Sequence, residues 1–269
     1  MNIVKRIFKK NIFAALSRKV RQNRMNKNII LIYTMGKVGS STIYNSLKVK
    51  LPKAHLFHVH FLSDKWLKEI LPGLNKDFHQ NIVYGNEVLD FIKANPKKRV
   101  KIITLVREPL MRDISDIFQN WSRLFPAEET VDKDYLLDWI DKRSHEYTLN
   151  WFDTEFKSYL GYDVYSRPFD KEKGYSIYNT PRFDLLCIKL ETLNNVYGEA
   201  LKSFLNLDDV SLSSTNETKD KDRSDLYFEM LMSYKANPAK IEELYSSKYM
   251  KHFYTQKQIE GYKKKWARV

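Results

Sequence analysis

Cysteine is almost absent from this chain of 269 residues, because Cys187 is its single example. One thiol rules out an intrachain disulfide framework, and its place inside an apolar run predicts a small core residue. Long hydrophobic runs are missing as well, since no stretch reaches the roughly 18 apolar residues that would span a membrane. The apolar segment Asn11–Leu16 is also too short for the core of a signal peptide. We therefore expect a cytoplasmic protein.

Acidic residues are missing from the first quarter of the chain. The first is Asp64, whereas residues 1–63 contain 13 Lys and Arg, and the remainder carries 33 basic and 33 acidic residues. Within residues 1–27, apolar residues recur at helical spacing among basic ones, which is the pattern of an amphipathic helix at a membrane surface. A helix packed on the domain with a solvated basic face fits the same pattern. We divide the chain into a basic arm (1–27), a candidate for peripheral contact with the inner membrane face, and one domain (28–269).

An apolar run, Ile29–Tyr33, leads directly into the most informative segment, T-M-G-K-V-G-S-S-T at residues 34–42. The pattern predicts a strand, a phosphate-binding turn and the start of a helix, where glycines and unpaired amides can approach an anion. The spacing differs from the nucleotide-triphosphatase loop G-x-x-x-x-G-K-[ST], which disfavours a metal-nucleotide kinase. The candidate phosphate ligands are Gly36, Lys37, Val38, Gly39, Ser40, Ser41 and Thr42.

A second motif, R-E-P-L-M-R-D-I-S at residues 107–115, follows the apolar run Val100–Val106. Arg107 stands where that strand should end, and Pro109 suits the first turn of a helix. Apolar residues then repeat at helical spacing, so we expect a helix that packs on the sheet. Open α/β sheets bind ligands at the carboxyl ends of their strands. The two motifs together predict a ligand with two separated anionic groups.

These segments resemble those of sulfotransferases. Residues 34–42 resemble the 5'-phosphosulfate-binding loop, and residues 107–115 resemble the 3'-phosphate-binding motif, in which Arg107 and Ser115 stand eight apart. The resemblance implies the donor 3'-phosphoadenosine-5'-phosphosulfate. With His58–Leu62, Asp184–Glu191 and Tyr249–Ile259, the chain is most similar to the bacterial capsular polysaccharide synthesis proteins, a sulfotransferase-like group, over about residues 28–266.

The chain departs from cytosolic sulfotransferases in one respect. Their glycine-rich, lysine-containing segment, which covers the nucleotide near the carboxyl end, is absent here. Lys219 and Lys221 lie in a charged stretch and are candidates to replace it.

Transfer to a hydroxyl needs a base, and His58 and His60 are the candidates. In a strand, residues two apart face the same side, and histidine titrates near neutral pH. By the resemblance, His60 matches the catalytic histidine and His58 is its companion; a structural role for both remains an alternative. Lys37 is aimed at the leaving 5'-phosphate. No metal is expected, because a sulfuryl group carries less charge than a terminal phosphoryl group.

Strands alternate with helices, which predicts an α/β fold with a mostly parallel, doubly wound sheet; the resemblance implies its three-layer, P-loop-like form. Residues 161–182 predict an irregular excursion or a hairpin, and Thr255–Gln258 predicts a capping box. The predicted strands are Asn28–Tyr33, His55–Leu62, Val100–Val106 and Phe183–Leu190. The predicted helices include Ser41–Lys50, Asp64–Ile70, Ile82–Ala94 and Arg112–Leu124.

We expect a sulfotransferase that acts on a hydroxyl of a carbohydrate or capsule-like polymer, with no nucleic-acid partner. One alternative is a glycosyltransferase of capsule assembly, for which Asp132–Asp134 and Asp220–Asp222 mimic the D-x-D metal motif. A strict manganese dependence would favour it. The other alternative is a non-catalytic basic protein that binds membrane or nucleic acid through residues 1–27, in which case Lys37, Arg107 and His60 would be dispensable.

Overall fold

The computed structural model describes residues 29–63, 76–94, 96, 99–125, 131–207, 212 and 223–268, and every structural statement below refers to these. The basic arm (1–27), the predicted helix Asp64–Ile70 and the charged stretch with Lys219, Lys221 and Asp220–Asp222 lie outside the described residues.

A five-stranded, mostly parallel sheet forms the centre of an α/β fold. Its strands lie in the order β2-β1-β3-β5-β4, and β4 alone runs antiparallel, against β5. The chain passes from β1 to β2 on one side and then returns to β3 on the other, as the doubly wound prediction requires. The strands are β1 (Ile29–Tyr33), β2 (His55–Val59), β3 (Val100–Val106), β4 (Tyr175–Asn179) and β5 (Phe183–Lys189).

Helices flank this sheet. After β5 they follow one another with no further described strand. In chain order they are α1 (Ser40–Lys50), α2 (Lys76–Ala94), α3 (Pro109–Gln119), α4 (Trp121–Leu124), α5 (Lys133–Lys142), α6 (Glu146–Trp151), α7 (Leu193–Leu205), α8 (Ser224–Ser233), α9 (Pro238–Tyr245), α10 (Lys248–Phe253) and α11 (Gln256–Trp266). Among the described residues, no helix combines the length and apolarity needed to cross a membrane.

The three central strands are buried on both faces, which explains why their sequences are mostly apolar. All five residues of β1 and all seven of β5 are buried, including Cys187, as predicted. Burial of each Ile or Leu side chain contributes about 1.5–3 kcal/mol, so these runs hold the core together. The core thereby fixes the carboxyl ends of β1, β3 and β5 side by side.

Two predicted boundaries were wrong for identifiable reasons. β2 ends at Val59 instead of Leu62, because the amides of Leu62 and Ser63 bond to the Glu155 carboxylate and not to a neighbouring strand. The predicted helix Arg112–Leu124 is two helices with a break at Asn120, whose side chain bonds back to Asp116.

The remaining elements agree with the sequence patterns or extend them. α2 begins at Lys76, six residues before the prediction, and the last part of residues 161–182 forms β4, which confirms the hairpin alternative. Thr255 and Gln258 form the predicted capping box of α11. Phe118, near the end of α3, lies edge-on to Tyr227 of α8, with 5.2 Å between ring centroids. This end of the apolar face of α3 therefore packs on a helix, whereas the sequence predicted packing on the sheet.

Candidate functional site

The candidate site lies at the carboxyl ends of β1, β2 and β3. β1 and β3 are neighbours, but their following connections leave in opposite directions, which opens a crevice at the strand ends. The loop 34–39 follows β1, His60 follows β2, and Arg107 follows β3. The two motifs predicted from the sequence therefore meet at one crevice.

Two left-handed residues shape the loop after β1. Lys37 has φ 70° and Gly39 has φ 83°. A Cβ at Gly39 would lie 2.6 Å from Cδ1 of Leu190, so glycine is required there by both conformation and space. Gly36 has no positive φ, and the expected glycine conformation is adopted by Lys37 instead. A non-glycine residue in this region is uncommon and costs about 1–3 kcal/mol, often at functional sites.

The loop ends at the amino terminus of α1. Gly39 is the N-cap and has no side chain to cap the first turn, where helix amides lack partners within the helix. Such amides, with the positive end of the helix dipole, favour an anion. Val38 and Ser40 are buried at this point, Thr42 is half-buried and Ser41 is exposed.

The second motif holds the carbonyl groups of this loop. Nη1 of Arg107 donates to the Lys37 carbonyl at 2.8 Å, and Nε of Arg112 donates to the Gly36 carbonyl at 3.0 Å. The Gly36 amide donates to the Tyr147 hydroxyl at 3.2 Å, while the Arg112 guanidinium lies 4.6 Å from the Tyr147 ring centroid. The loop conformation therefore depends on α3 and α6 as well as on its own sequence.

The Lys37 side chain contacts α3, and Ser115 is part of that helix. Nζ of Lys37 donates to Oε1 of Gln119 at 3.1 Å, at the carboxyl end of that helix. Ser115 is buried in the second turn of α3, and Arg107 precedes the helix by two residues. Whether Arg107 and Ser115 bind a 3'-phosphate remains a prediction.

His60 is held in one tautomer. Its Nδ1 lies 2.7 Å from the carbonyl oxygen of Thr34, and because a carbonyl only accepts, Nδ1 carries the proton. Nε2 is then left with a lone pair. Burial lowers the pKa of His60 below 6.5, and the positive charges of Arg112 and Lys37 lower it further, against the bond to Thr34. The ring is therefore neutral at pH 7, as a general base must be.

His58 lies beside His60 but has a different partner. The ring centroids are 4.8 Å apart, so the two imidazoles do share one side, as their spacing predicted. Nε2 of His58 is 2.8 Å from Oγ of Ser40, the first residue of α1 after the loop, and the ring stacks on Tyr44. Burial, with the neighbouring His60, lowers the pKa of His58 to about 3. This geometry indicates a loop-positioning role for His58.

Residues from α6 and the helix after it support the segment that carries His60. Nε1 of Trp151 donates to the His60 carbonyl at 3.1 Å. Glu155, in the π-helical segment Phe152–Leu160, accepts hydrogen bonds from the amides of Leu62 and Ser63, and burial raises its pKa. These residues lie about 90 positions from the segment they hold, so no local pattern in the sequence could reveal them.

A buried network of charged residues contacts the Arg112 guanidinium, and the sequence patterns did not reveal it. Asp113 pairs with both Arg112 and Nδ1 of His145, and Nε2 of His145 is 3.1 Å from Nζ of Lys240. Asp116 pairs with Arg112 and with Arg143 at 2.6 Å. His145 had no distinguishing context in the sequence, yet it is one of the most buried polar residues. The network fixes the guanidinium that holds the loop.

Two carboxylates bond to the backbone next to Arg107, and one of them, Glu108, is buried. The Glu108 carboxylate accepts from the amides of Leu110 and Met111 and from the Tyr245 hydroxyl, and burial raises its pKa to about 7. The Glu191 carboxylate accepts a hydrogen bond from the Glu108 amide at 2.7 Å. Neither carboxylate is a candidate base, because both are occupied as structural acceptors.

The first D-x-D candidate has a structural role. Asp132 is the N-cap of α5 and accepts from the Tyr135 amide at 2.9 Å, and Asp134 lies in the first turn of the helix. Capping explains an acidic residue at this position without a metal.

Comparison with known proteins gives one match. No curated protein and no solved structure matches the chain. Residues 128–255 match the model of a family described as "putative capsular polysaccharide synthesis protein". That stretch contains Tyr147, Glu155 and Tyr249 but neither candidate phosphate-binding segment, so the match is narrower than the expected 28–266. The chain is therefore similar to capsular polysaccharide synthesis proteins over the half that supports the crevice.

Proposed function

We propose that this protein is a sulfotransferase that moves a sulfuryl group from 3'-phosphoadenosine-5'-phosphosulfate to a hydroxyl of a carbohydrate or capsular polysaccharide. One observation carries the proposal: the Arg107 guanidinium, from the motif assigned to the 3'-phosphate, donates to the Lys37 carbonyl inside the loop assigned to the 5'-phosphosulfate. Two anion-directed segments at one crevice suit a nucleotide with two phosphate groups. The similarity to capsular polysaccharide synthesis proteins supports the acceptor class.

In this proposal, the fold is P-loop-like and the donor spans the crevice. The 5'-phosphosulfate binds the amides of residues 37–42 at the start of α1, together with Ser40, Ser41 and Thr42. Arg107 and Ser115 bind the 3'-phosphate. A guanidinium has five N–H donors, and the Lys37 carbonyl needs only one, so Arg107 can also bind phosphate.

The chemistry assigns one step to each of two side chains. Nε2 of His60 takes the proton of the acceptor hydroxyl as its oxygen attacks sulfur, and the bond from sulfur to the 5'-phosphate oxygen breaks. Adenosine 3',5'-bisphosphate leaves with the bonding electrons. Lys37 and the loop amides stabilise the charge that develops on it, and such donors contribute about 3–4 kcal/mol each at a transition state. We expect no metal requirement.

The first test is the nucleotide preference of the metal-free protein. Adenosine 3',5'-bisphosphate should bind at least about tenfold tighter than AMP, because a charged hydrogen bond to the 3'-phosphate easily supplies about 1.4 kcal/mol. Isothermal titration calorimetry in EDTA measures both affinities. Arg107→Gln should reduce the preference, because the 3'-phosphate then loses its charged partner, whereas AMP has no 3'-phosphate to lose one.

Equal affinity for the two nucleotides would rule out the assignment of residues 107–115 to a 3'-phosphate. Tighter binding of a sugar nucleotide, with a manganese requirement, would favour the glycosyltransferase of capsule assembly. If no nucleotide binds but anionic vesicles do, the non-catalytic alternative through residues 1–27 would be supported.

A further inference from the structure

Arg107 is the one residue between β3 and the N-cap of α3. β3 ends at Val106, and Glu108 is the N-cap. The Glu108 amide bonds to Glu191, and its carbonyl accepts the first helical hydrogen bond from the Arg112 amide at 2.9 Å. Arg107 therefore falls between two hydrogen-bonding patterns, and its half-buried backbone groups need partners from elsewhere.

A single hydroxyl satisfies both groups. The Arg107 amide donates to the Tyr249 hydroxyl oxygen at 3.1 Å, and that hydroxyl donates to the Arg107 carbonyl at 2.9 Å. Burial raises the pKa of Tyr249 well above its usual value, so the proton needed for the second bond is retained. Together the two bonds fix the backbone angles of Arg107 and hence the direction in which its side chain starts.

The tyrosine itself is held rigidly. Its side chain is fully buried in α10, whose first turn is capped by Ser247. Its ring stacks on Phe152 and lies edge-on to Phe253, with centroids 6.4 Å and 5.1 Å away. Because the ring is held on both sides, its hydroxyl can keep the Arg107 backbone in one position, which a flexible side chain could not do.

We propose that Tyr249 is a positioning residue for Arg107 and thereby sets the selectivity of the crevice for nucleotides with a 3'-phosphate. The inference rests on the proposed function, because it takes Arg107 as the 3'-phosphate ligand. It also gives a role to the half of the chain that matches the family model, since Tyr249 lies within residues 128–255 and Arg107 lies outside them.

The test is Tyr249→Phe in the full-length protein, with Tyr178→Phe as the matched control. Tyr178 is also buried, and its hydroxyl also donates to a backbone carbonyl, that of Pro168, but on the edge strand β4. Calorimetry should show adenosine 3',5'-bisphosphate binding about 5- to 20-fold weaker in Tyr249→Phe, from one lost buried hydrogen-bond partner. AMP binding should weaken by less, because it depends on Arg107 only through the bond to the Lys37 carbonyl. Tyr178→Phe should keep both affinities.

The outcomes separate the two proposals. If the unchanged protein does not prefer the bisphosphate over AMP, the proposed function fails. If it does prefer it and Tyr249→Phe keeps that preference, the positioning role is overturned. An equal fall in both affinities would also overturn it, because general loosening of the protein is then the simpler cause.

A measurement on the unchanged protein covers the case in which Tyr249→Phe does not fold. The Arg107 amide should exchange its hydrogen slowly, although it belongs to neither a helix nor a strand, because the Tyr249 hydroxyl accepts it in a buried site. Exchange as fast as that of an exposed turn would contradict the inference.

Discussion

At the scale of single residues, two neighbouring histidines differ in their partners. His60 donates from Nδ1 to the Thr34 carbonyl, which leaves Nε2 able to accept a proton. Nε2 of His58 instead forms a hydrogen bond with Ser40 at the start of α1. Two histidines whose rings lie side by side therefore differ in their hydrogen bonds. In the proposed function, His60 is the base and His58 holds the start of α1.

Substitution of His60 should separate turnover from binding. His60→Ala should lower kcat by about two orders of magnitude or more while nucleotide affinity stays nearly unchanged, because the imidazole acts on the acceptor proton. His58→Ala should weaken nucleotide binding, since Ser40 loses its partner, and Lys37→Ala should damage both binding and turnover. Sulfate transfer to an oligosaccharide, measured beside a nucleotide titration for each variant, gives both quantities.

The pH profile is an internal control for this assignment. Because burial lowers the pKa of His60 below its usual value, the neutral base predominates at pH 7, and kcat should fall only at a pH below the ordinary histidine pKa of about 6.5. Near-normal turnover in His60→Ala, combined with a large loss in His58→Ala, would move the base to His58. Full activity in both variants would mean that the base lies elsewhere.

Residue types and spacing revealed the candidates but not what holds them. The candidate residues could be identified because each motif is local and lies in a predicted strand or directly after one. They are Lys37, His58, His60, Arg107 and Ser115. Tyr249 could not, because it is 142 positions from its partner Arg107. Contacts at such separation depend on how the helices pack on the sheet, and periodicity does not encode that.

At the scale of elements, the loop between β1 and α1 depends on a left-handed N-cap. Gly39 allows φ 83° and brings the backbone against Leu190, which follows β5. The end of β5 therefore helps to set the donor loop. The sequence predicted a turn in which both glycines adopt unusual backbone angles. In the structure, Gly39 has a positive φ, but Lys37 has one in place of Gly36.

A series of glycine substitutions tests this arrangement. Gly39→Ala should lose about 1–3 kcal/mol of unfolding free energy from backbone strain, and adenosine 3',5'-bisphosphate should bind at least about tenfold weaker as the loop shifts away from Leu190. Gly161→Ala is the control for strain alone, because Gly161 has φ 68° but a Cβ added there would have no atom within 4 Å. Urea unfolding and calorimetry measure the two effects.

Both variants should lose stability, and only Gly39→Ala should lose affinity. Gly36→Ala should keep its stability, since Gly36 has no positive φ and the nearest atom to a Cβ there is Nη2 of Arg112 at 3.9 Å. Unchanged nucleotide affinity in Gly39→Ala would show that the loop geometry does not matter for the donor.

At the scale of the whole molecule, the sheet order determines where chemistry can occur. The alternation of strands and helices predicted a mostly parallel sheet, and the order β2-β1-β3-β5-β4 confirms it. The apolar runs made this prediction reliable, because strands buried on both faces leave an unmistakable pattern. The positions of the helices after residue 128 were less predictable. Tertiary contacts position them, such as those that Tyr147, Glu155 and Tyr249 make with the segments around the crevice.

The two halves of the chain therefore have different tasks. Both candidate anion-binding segments and both histidines lie before residue 128, whereas many of the residues that orient them come from the segment 128–255 that matches the family model. A family match confined to supporting elements is consistent with a site assembled across the whole described domain.

The most direct test of the central claim is a crystal structure of the protein with adenosine 3',5'-bisphosphate. We expect the 5'-phosphate on the amides of residues 37–42 at the start of α1, and the 3'-phosphate within hydrogen-bond distance, about 3 Å, of Arg107 and Ser115. Nε2 of His60 should face the 5'-phosphate side of the crevice. A nucleotide bound in the reverse direction, or at another site, would contradict the proposed function.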